Sequence, residues 1–262
     1  MTPARGSSDQ SIEGGSPFAL SLHGVALIVI LSGIFAATLS PYLNTDLWWH
    51  LHVGRIISNT GAIPAVDSMS FTAHGRPWLN HEWLAELVFY LVHRSFGIRG
   101  LLILVASVVT LTFVLVHIRM RRRGASPLVA LILLVPAWIA TINSIYLRIQ
   151  PVTLLLLALF LLLLDEFRRT RRRALLIPLP FLMLPWANLH GGFAVGLAVI
   201  LIYLIGEWLE ARRKEDSALA RPDLLALTIC LVAAVIMSLG TPGGFETLAY
   251  PFRFITPNFF TD

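Results

Sequence analysis

Ionisable side chains are concentrated between the first and second long apolar runs of the chain. Seven carboxylates and imidazoles fall within 37 residues there: Asp46, His50, His52, Asp67, His74, His81 and Glu82. Such groups suit a divalent cation such as Mg²⁺, Mn²⁺ or Zn²⁺, although their spacing matches no self-contained metal motif. The alternative is that each is simply solvated at a membrane boundary. For a metal, we take Asp46, His81 and Glu82 as candidate ligands of Mg²⁺ or Mn²⁺.

The segment "TDLWWHLHVG" opens this stretch and combines two kinds of side chain. Asp46 and His50 are four residues apart and share one face of a helix. Gly54 continues that face, and its lack of a side chain lets another group approach closely. Trp48 and Trp49 are typical of the aromatic belt at a membrane interface. We interpret the tryptophans as anchors and Asp46 with His50 as the edge of a candidate active site.

Two further polar pairs interrupt the apolar sequence. Arg148 and Gln150 lie in "YLRIQP", and an arginine near lipid is costly to hold and tends to have a partner. Arg148 is a candidate phosphate ligand, although snorkelling or pairing with Glu246 explains it equally well. Asn188 and His190, in "WANLHGGF", are candidate substrate contacts or parts of a simple turn between two helices.

The elements that must position these residues are membrane helices. Hydrophobic residues make up 56% of the 262 residues and charged residues only 13%, against about 25% charged in soluble proteins. Apolar runs recur, each about long enough to cross a hydrocarbon core of ~30 Å. We therefore expect an all-α fold, a polytopic transmembrane helical bundle of about seven spans. The predicted spans lie near residues 19–40, 98–118, 126–145, 151–166, 174–189, 192–209 and 222–240.

The remaining segments predict a simple domain organisation. Residues 1–18 are polar and rich in Gly and Ser, which indicates a disordered cytoplasmic tail before a single membrane domain, 19–262. Residues 41–97 form a long outer loop with two amphipathic interfacial helices. The first ends at Gly61, the second covers 81–97, and a turn-rich, extended segment joins them.

The positions of Lys and Arg predict the orientation. Fourteen of the 20 are Arg5 and residues in the segments 119–123, 168–173 and 211–221. With seven spans these lie on one side, which the positive-inside rule makes cytoplasmic. The N-terminus is then cytoplasmic, and the C-terminus and all candidate site residues are on the outer side. Basic residues clustered at helix ends do not indicate nucleic-acid binding, and the single cysteine, Cys230, excludes a disulfide framework.

The order of these features resembles the GT-C class of membrane glycosyltransferases. In that class a first span leads into a long outer loop that opens with an essential acidic residue. The matching elements are D-x-W-W-H-L at Asp46, H-E-W-L at His81 and W-x-N-x-H-G-G from Trp186 to Gly192. The loop is similar to that of oligosaccharyltransferase catalytic subunits. The chain resembles uncharacterised bacterial GT-C-like membrane proteins more closely, over about residues 19–257.

Two features depart from the class. After the third span the oligosaccharyltransferases carry a second acidic motif, whereas this chain has "YLRIQP". The sequence also ends where relatives would continue, so we expect a shortened relative that lacks the C-terminal half.

The resemblance implies transfer of a sugar from a polyprenyl-phosphate-linked donor at the outer face of a bacterial inner membrane. Asp46 is then the candidate catalytic residue, as a base or metal ligand. The candidate substrate-binding residues are His50, Arg148, Gln150, Asn188 and His190. Expected partners are membrane lipids, the polyprenyl-phosphate sugar and other membrane subunits. The alternative is a non-catalytic structural or accessory subunit of a larger membrane complex, built on the shortened scaffold. A transporter is less well supported, because no span carries a central acidic residue.

Overall fold

The computed structural model describes residues 21–39, 44–141, 147–214 and 218–253, and these form helices without a β-strand. The expected all-α class is confirmed for this part of the chain, whereas the predicted tail, 1–18, lies outside it. The helices are α1 (Leu22–Thr38), α2 (Asp46–Thr60), α3 (Trp83–Arg122), α4 (Pro127–Thr141), α5 (Pro151–Thr170), α6 (Pro178–Leu189), α7 (Phe193–Arg213), α8 (Arg221–Ser238) and α9 (Phe245–Arg253). A short 3₁₀ helix, Arg173–Leu176, precedes α6.

Membrane character is supported by the helices themselves. Among the described residues, α3, α7 and α8 are long and apolar enough to cross a membrane, whereas α1, α4 and Arg173–Leu189 are apolar but shorter. Each predicted span coincides with a helix, but the number of crossings stays a prediction. Large apolar side chains such as Val29, Ile132, Ile202 and Ile236 are more than half exposed, as expected of lipid-facing surfaces.

The outer loop contains the two predicted helices. The first is α2, which ends at Gly61 in the left-handed conformation with a φ of 68°. The second is the first part of α3, and a break at Gly97 (φ 65°, ψ −163°) separates it from the apolar remainder of that helix. A residue with a side chain rarely adopts this conformation. The break therefore lies at the predicted junction between loop and span.

Close packing of α2 on α3 depends on Gly54. A Cβ atom at this position would overlap the carbonyl oxygen of Glu86 and lie 2.7 Å from Cβ of Tyr90. Leu47 and Leu51 on α2 are buried in the same core as residues of α1, α3 and α4. The predicted close approach at Gly54 is confirmed, and the approaching group is the backbone of α3.

A second core joins α5, α6, α7 and α8. Trp186 of α6 is fully buried and meets the ring of Phe160 edge-on, with the ring centroids 5.0 Å apart.

Helix α5 connects two polar ends of the bundle, because Thr153 lies near its start and Asp165 near its end. At 1.5 Å per residue these positions are about 18 Å apart along the axis.

Candidate active site

Five ionisable side chains meet at one end of the bundle. They are His50, His81, Glu82, Glu86 and His190, and we call them the carboxylate–imidazole cluster. His50 comes from α2, Glu82 and Glu86 from the start of α3, and His190 from the turn between α6 and α7. The helix packing at Gly54 and the α6–α7 turn bring together residues up to 140 positions apart in the sequence.

Glu86 is the most deeply buried member of the cluster, with 1% of its surface exposed. Its Oε1 lies 3.4 Å from Nδ1 of His50, and its Oε2 accepts a hydrogen bond of 2.7 Å from Nδ2 of Asn80. A buried carboxylate needs such partners, because burial without them is costly. Glu86 therefore fixes the position of His50 relative to α3.

Glu82 lies between two imidazoles. Its Oε1 is 3.6 Å from Nε2 of His190 and 3.8 Å from Nε2 of His81. Burial raises the pKa of Glu82 to about 7; His50 opposes this shift, and the negative charges of Glu86 and Asp46 add to it. A carboxyl group that titrates near neutral pH is suited to general acid–base chemistry.

His190 has a defined tautomer. Its Nδ1 accepts a 3.0 Å hydrogen bond from the backbone N–H of Gly192 and lies 2.9 Å from the hydroxyl of Thr153. Since a backbone N–H can only donate, Nδ1 carries a lone pair and the proton is on Nε2. That proton faces Glu82. Trp186 holds Thr153 in place by donating from Nε1 to its hydroxyl at 3.1 Å.

The environment keeps His190 neutral. Burial, together with smaller contributions from the neighbouring His81 and His50, lowers its pKa to about 4. Burial also lowers the pKa of His81. Gly192 makes the arrangement sterically feasible, because a Cβ atom there would overlap the Thr153 hydroxyl and lie 2.9 Å from Nδ1 of His190. The glycine provides space at this turn.

Asp46 and Arg148 form a looser pair beside the cluster. Nη2 of Arg148 is 3.8 Å from Oδ2 of Asp46, and both side chains are more than one third exposed. Within the described ranges, Nε of Arg148 and Oε1 of Gln150 are buried without a hydrogen-bond partner. The carboxylate beside Arg148 is thus Asp46, whereas Glu246 is exposed on α9. Arg148 and Gln150 therefore each have one polar atom that a ligand could bond.

Asn188 joins α3, its own helix α6 and the turn that follows α8. Its Oδ1 accepts a 2.6 Å hydrogen bond from Nε1 of Trp83. Its Nδ2 donates to the carbonyl oxygens of Leu184 at 2.8 Å and Gly240 at 3.0 Å. These contacts describe a positioning residue, and its predicted role in substrate binding stays a prediction.

A cavity of about 540 Å³ opens beside the cluster. Asn80, which bonds Glu86, lines it, and so does Tyr250, whose ring centroid is 4.4 Å from that of His81. Trp78 and Glu246 line the same space. Aromatic faces and polar groups around a cavity of this size can accommodate a small polar substrate.

The metal site stays a prediction. Among the described residues, no group of three or more His, Cys, Asp or Glu side chains is arranged to hold a metal ion. His81 and Glu82 are adjacent, and Asp46 is near enough to raise the pKa of Glu82. Asp67 instead caps its own turn, accepting hydrogen bonds of 2.8 Å from the backbone N–H groups of Met69 and Ser70.

The sequence did not single out Glu86, Thr153 or Trp83 as site residues. Glu86 lies four residues after Glu82, so a shared helix face was the available signal. Thr153 lies in a leucine-rich run and carried no signal of its own, whereas Trp83 lies in the H-E-W-L element but was not assigned a role.

Comparison with known proteins identifies no relative of this chain. No protein-family profile matches it, and neither a curated protein nor a solved structure does. The resemblance to the GT-C class therefore rests on the sequence motifs alone.

Proposed function

We propose that the protein is a GT-C-type membrane glycosyltransferase that uses a polyprenyl-phosphate-linked sugar. The observation that carries this proposal is Glu82, whose carboxyl is 20% exposed, lies within 4 Å of two imidazoles and has its pKa raised by burial to about 7. The partly exposed Arg148 pairs with Asp46, and a cavity opens beside Asn80, the hydrogen-bond partner of Glu86. Glycosyl transfer from a lipid phosphate needs such a proton acceptor, a positive charge for the phosphate and room for the acceptor.

The proposal includes seven spans with a cytoplasmic N-terminus in a bacterial inner membrane. Its support is the distribution of charged residues along α3. The carboxylate–imidazole cluster lies at the start of α3, and the arginines of residues 119–123 lie at its other end. The basic end is the cytoplasmic one, so the cluster faces the outer side.

In the proposed reaction each residue of the site has one role. Ionised Glu82 accepts the proton of the attacking acceptor hydroxyl, whose oxygen forms the new bond to the anomeric carbon. The bond from that carbon to the phosphate oxygen breaks, and polyprenyl phosphate leaves with the bonding electrons. Arg148 balances the phosphate charge, and Asp46 orients Arg148. His190 is neutral, and its Nε2 faces the carboxylate of Glu82 at 3.6 Å.

These assignments move the base from Asp46 to Glu82. The Asp46 side chain is 56% exposed, whereas burial adjusts the Glu82 pKa toward neutral pH. Because the described residues show no three-ligand group, no step is assigned to Mg²⁺ or Mn²⁺.

The test is turnover of synthetic polyprenyl-phosphate sugars by the purified full chain, measured as released polyprenyl phosphate. Glu82→Gln should lower the rate by about 10²–10⁴-fold, the usual contribution of a general base. Asp46→Ala should also lower the rate, without changing membrane insertion. Asp67→Asn, in the same loop but outside the cluster, is the matched control and should retain turnover. A folded wild-type protein that releases no polyprenyl phosphate from any donor would refute the proposal and favour the accessory-subunit alternative.

A further inference from the structure

A pocket of about 390 Å³ lies at the basic end of the bundle, opposite the carboxylate–imidazole cluster. Its charged lining comes from the last turns of α3 and α5 and the residue that follows each. We call it the arginine pocket. Its charged residues are Arg119, Arg122, Arg123, Asp165, Glu166, Arg168, Arg169 and Arg171.

The two carboxylates of the arginine pocket are each shared by two arginines. Oδ2 of Asp165 accepts 2.7 Å hydrogen bonds from Nε of Arg119 and Nε of Arg123. The hydroxyl of Tyr203 also bonds this carboxylate. One negative charge is therefore surrounded by two positive charges, and an excess of positive charge remains.

Glu166 repeats the pattern. Its Oε2 is 3.0 Å from Nη1 of Arg122, and its Oε1 is 2.5 Å from Nη2 of Arg169. The side chains of Arg122 and Arg169 are 51% and 61% exposed, so their remaining N–H groups are accessible. Arg168 differs, because two carboxylates of α7 already pair with it. The pocket thus presents surplus positive charge mainly through four arginines.

An apolar cavity of about 260 Å³ adjoins the arginine pocket. It lies between α3, α4 and α5, and side chains such as Val116, Ala137 and Leu157 line it. Arg119 and Arg123 border both spaces. A molecule that filled both would need an anionic group and a hydrocarbon chain joined covalently, a short distance apart.

We propose that the arginine pocket and the apolar cavity together bind one anionic phospholipid. The phosphate lies among the arginines and one acyl chain occupies the cavity between α3, α4 and α5. Basic pockets between membrane helices on the cytoplasmic side have the charge to bind anionic headgroups. A free phosphate would satisfy the arginines but leave the apolar cavity unfilled. The site is independent of the proposed transferase activity.

The first test measures binding of phosphatidylglycerol and phosphatidylcholine with identical acyl chains to the purified full chain, by native mass spectrometry. Phosphatidylglycerol should bind at least fivefold more tightly. The triple variant Arg122→Gln, Glu166→Gln, Arg169→Gln removes both arginines without leaving Glu166 unpaired. It should lose about fivefold in phosphatidylglycerol affinity, the effect of one net charge near the headgroup.

The control is Arg172→Gln, which changes the net charge equally at an exposed residue outside the pocket. It should change the affinity less than about twofold. Equal losses in the triple variant and the control would show that only overall charge matters and would overturn the proposal. Equal binding of the two lipids would overturn it as well.

A second pair of variants tests the acyl chain with the arginines intact. Ala137→Phe fills the apolar cavity, whereas Ala140→Phe adds the same ring on an exposed face of α4. Only Ala137→Phe should weaken phosphatidylglycerol binding. Soluble glycerol phosphate should bind far more weakly than the lipid, since it lacks the chain. Comparable binding of glycerol phosphate, or no effect of Ala137→Phe, would contradict the assignment of the cavity.

Discussion

Replacement of Gly54 by alanine tests whether the site depends on direct contact between α2 and α3. The added Cβ atom would overlap the carbonyl oxygen of Glu86 and lie 2.7 Å from Cβ of Tyr90. Neither neighbour is the end of a flexible side chain. The two helices must therefore move apart, which also separates His50 from Glu86.

The expected cost follows from two opposing effects. Overpacking of a tight contact costs about 1–3 kcal/mol, and alanine gains up to about 1 kcal/mol over glycine inside a helix. With the full gain of about 1 kcal/mol, the net loss in the free energy of unfolding is about 0–2 kcal/mol relative to the wild type. Relative to another glycine-to-alanine variant inside a helix, the loss is about 1–3 kcal/mol, a fall in melting temperature of about 2–12 °C for a chain of this size.

Gly206→Ala provides the matched control. Gly206 lies inside α7, and a Cβ atom there would meet nothing within 4 Å. This variant should be as stable as the wild type or slightly more stable. Thermal unfolding of the three proteins in the same detergent measures the difference. If Gly54→Ala melts no lower than Gly206→Ala, the close packing of α2 on α3 is incorrect.

Three further predictions concern the same end of the bundle. The pKa of Glu82 is raised from 4.5 to about 7, so stability is lost as the pH rises through this range. Glu82→Gln should abolish this loss, about 3 kcal/mol, in melting curves recorded across the range. The pKa of His190 is lowered from 6.5 to about 4, so stability is lost as the pH falls through this range. His190→Gln should remove this fall in melting temperature on the acid side. Asn188→Leu leaves the N–H of Trp83 without an acceptor and should cost about 1–3 kcal/mol in thermal unfolding, whereas exposed Asn59→Leu should cost less than about 0.5 kcal/mol.

Much of the helical architecture was predictable from local sequence. Long apolar runs indicated the helices, and Gly61 and Gly97 marked the end of α2 and the break in α3, because their left-handed φ values favour glycine. Helix lengths were less predictable. The run predicted at 174–189 begins as a 3₁₀ helix and becomes α-helical only at Pro178, since proline favours the first helical position.

The grouping of the candidate site residues was predictable in part. Asp46, His50, His81, Glu82, Asn188 and His190 were singled out because ionisable and amide groups are rare near apolar runs, and the structure gathers them at one end of the bundle. Glu86 and Thr153 were not identified, because their roles arise from contacts between helices. Glu86 is buried by α2 at Gly54, and Thr153 meets His190 across the α6–α7 turn. Such pairings depend on helix packing that local periodicity does not determine.

The most direct test of the central claim is the protonation of Glu82, measured by infrared difference spectroscopy of the wild type against Glu82→Gln. A protonated carboxyl gives a C=O stretching band that disappears on ionisation. The account predicts a band that is absent from the variant and disappears with a midpoint near pH 7. A midpoint near the ordinary value for a glutamate, about 4.3, would show that Glu82 is ionised well below neutral pH. That result would contradict its assignment as the proton acceptor of the proposed reaction.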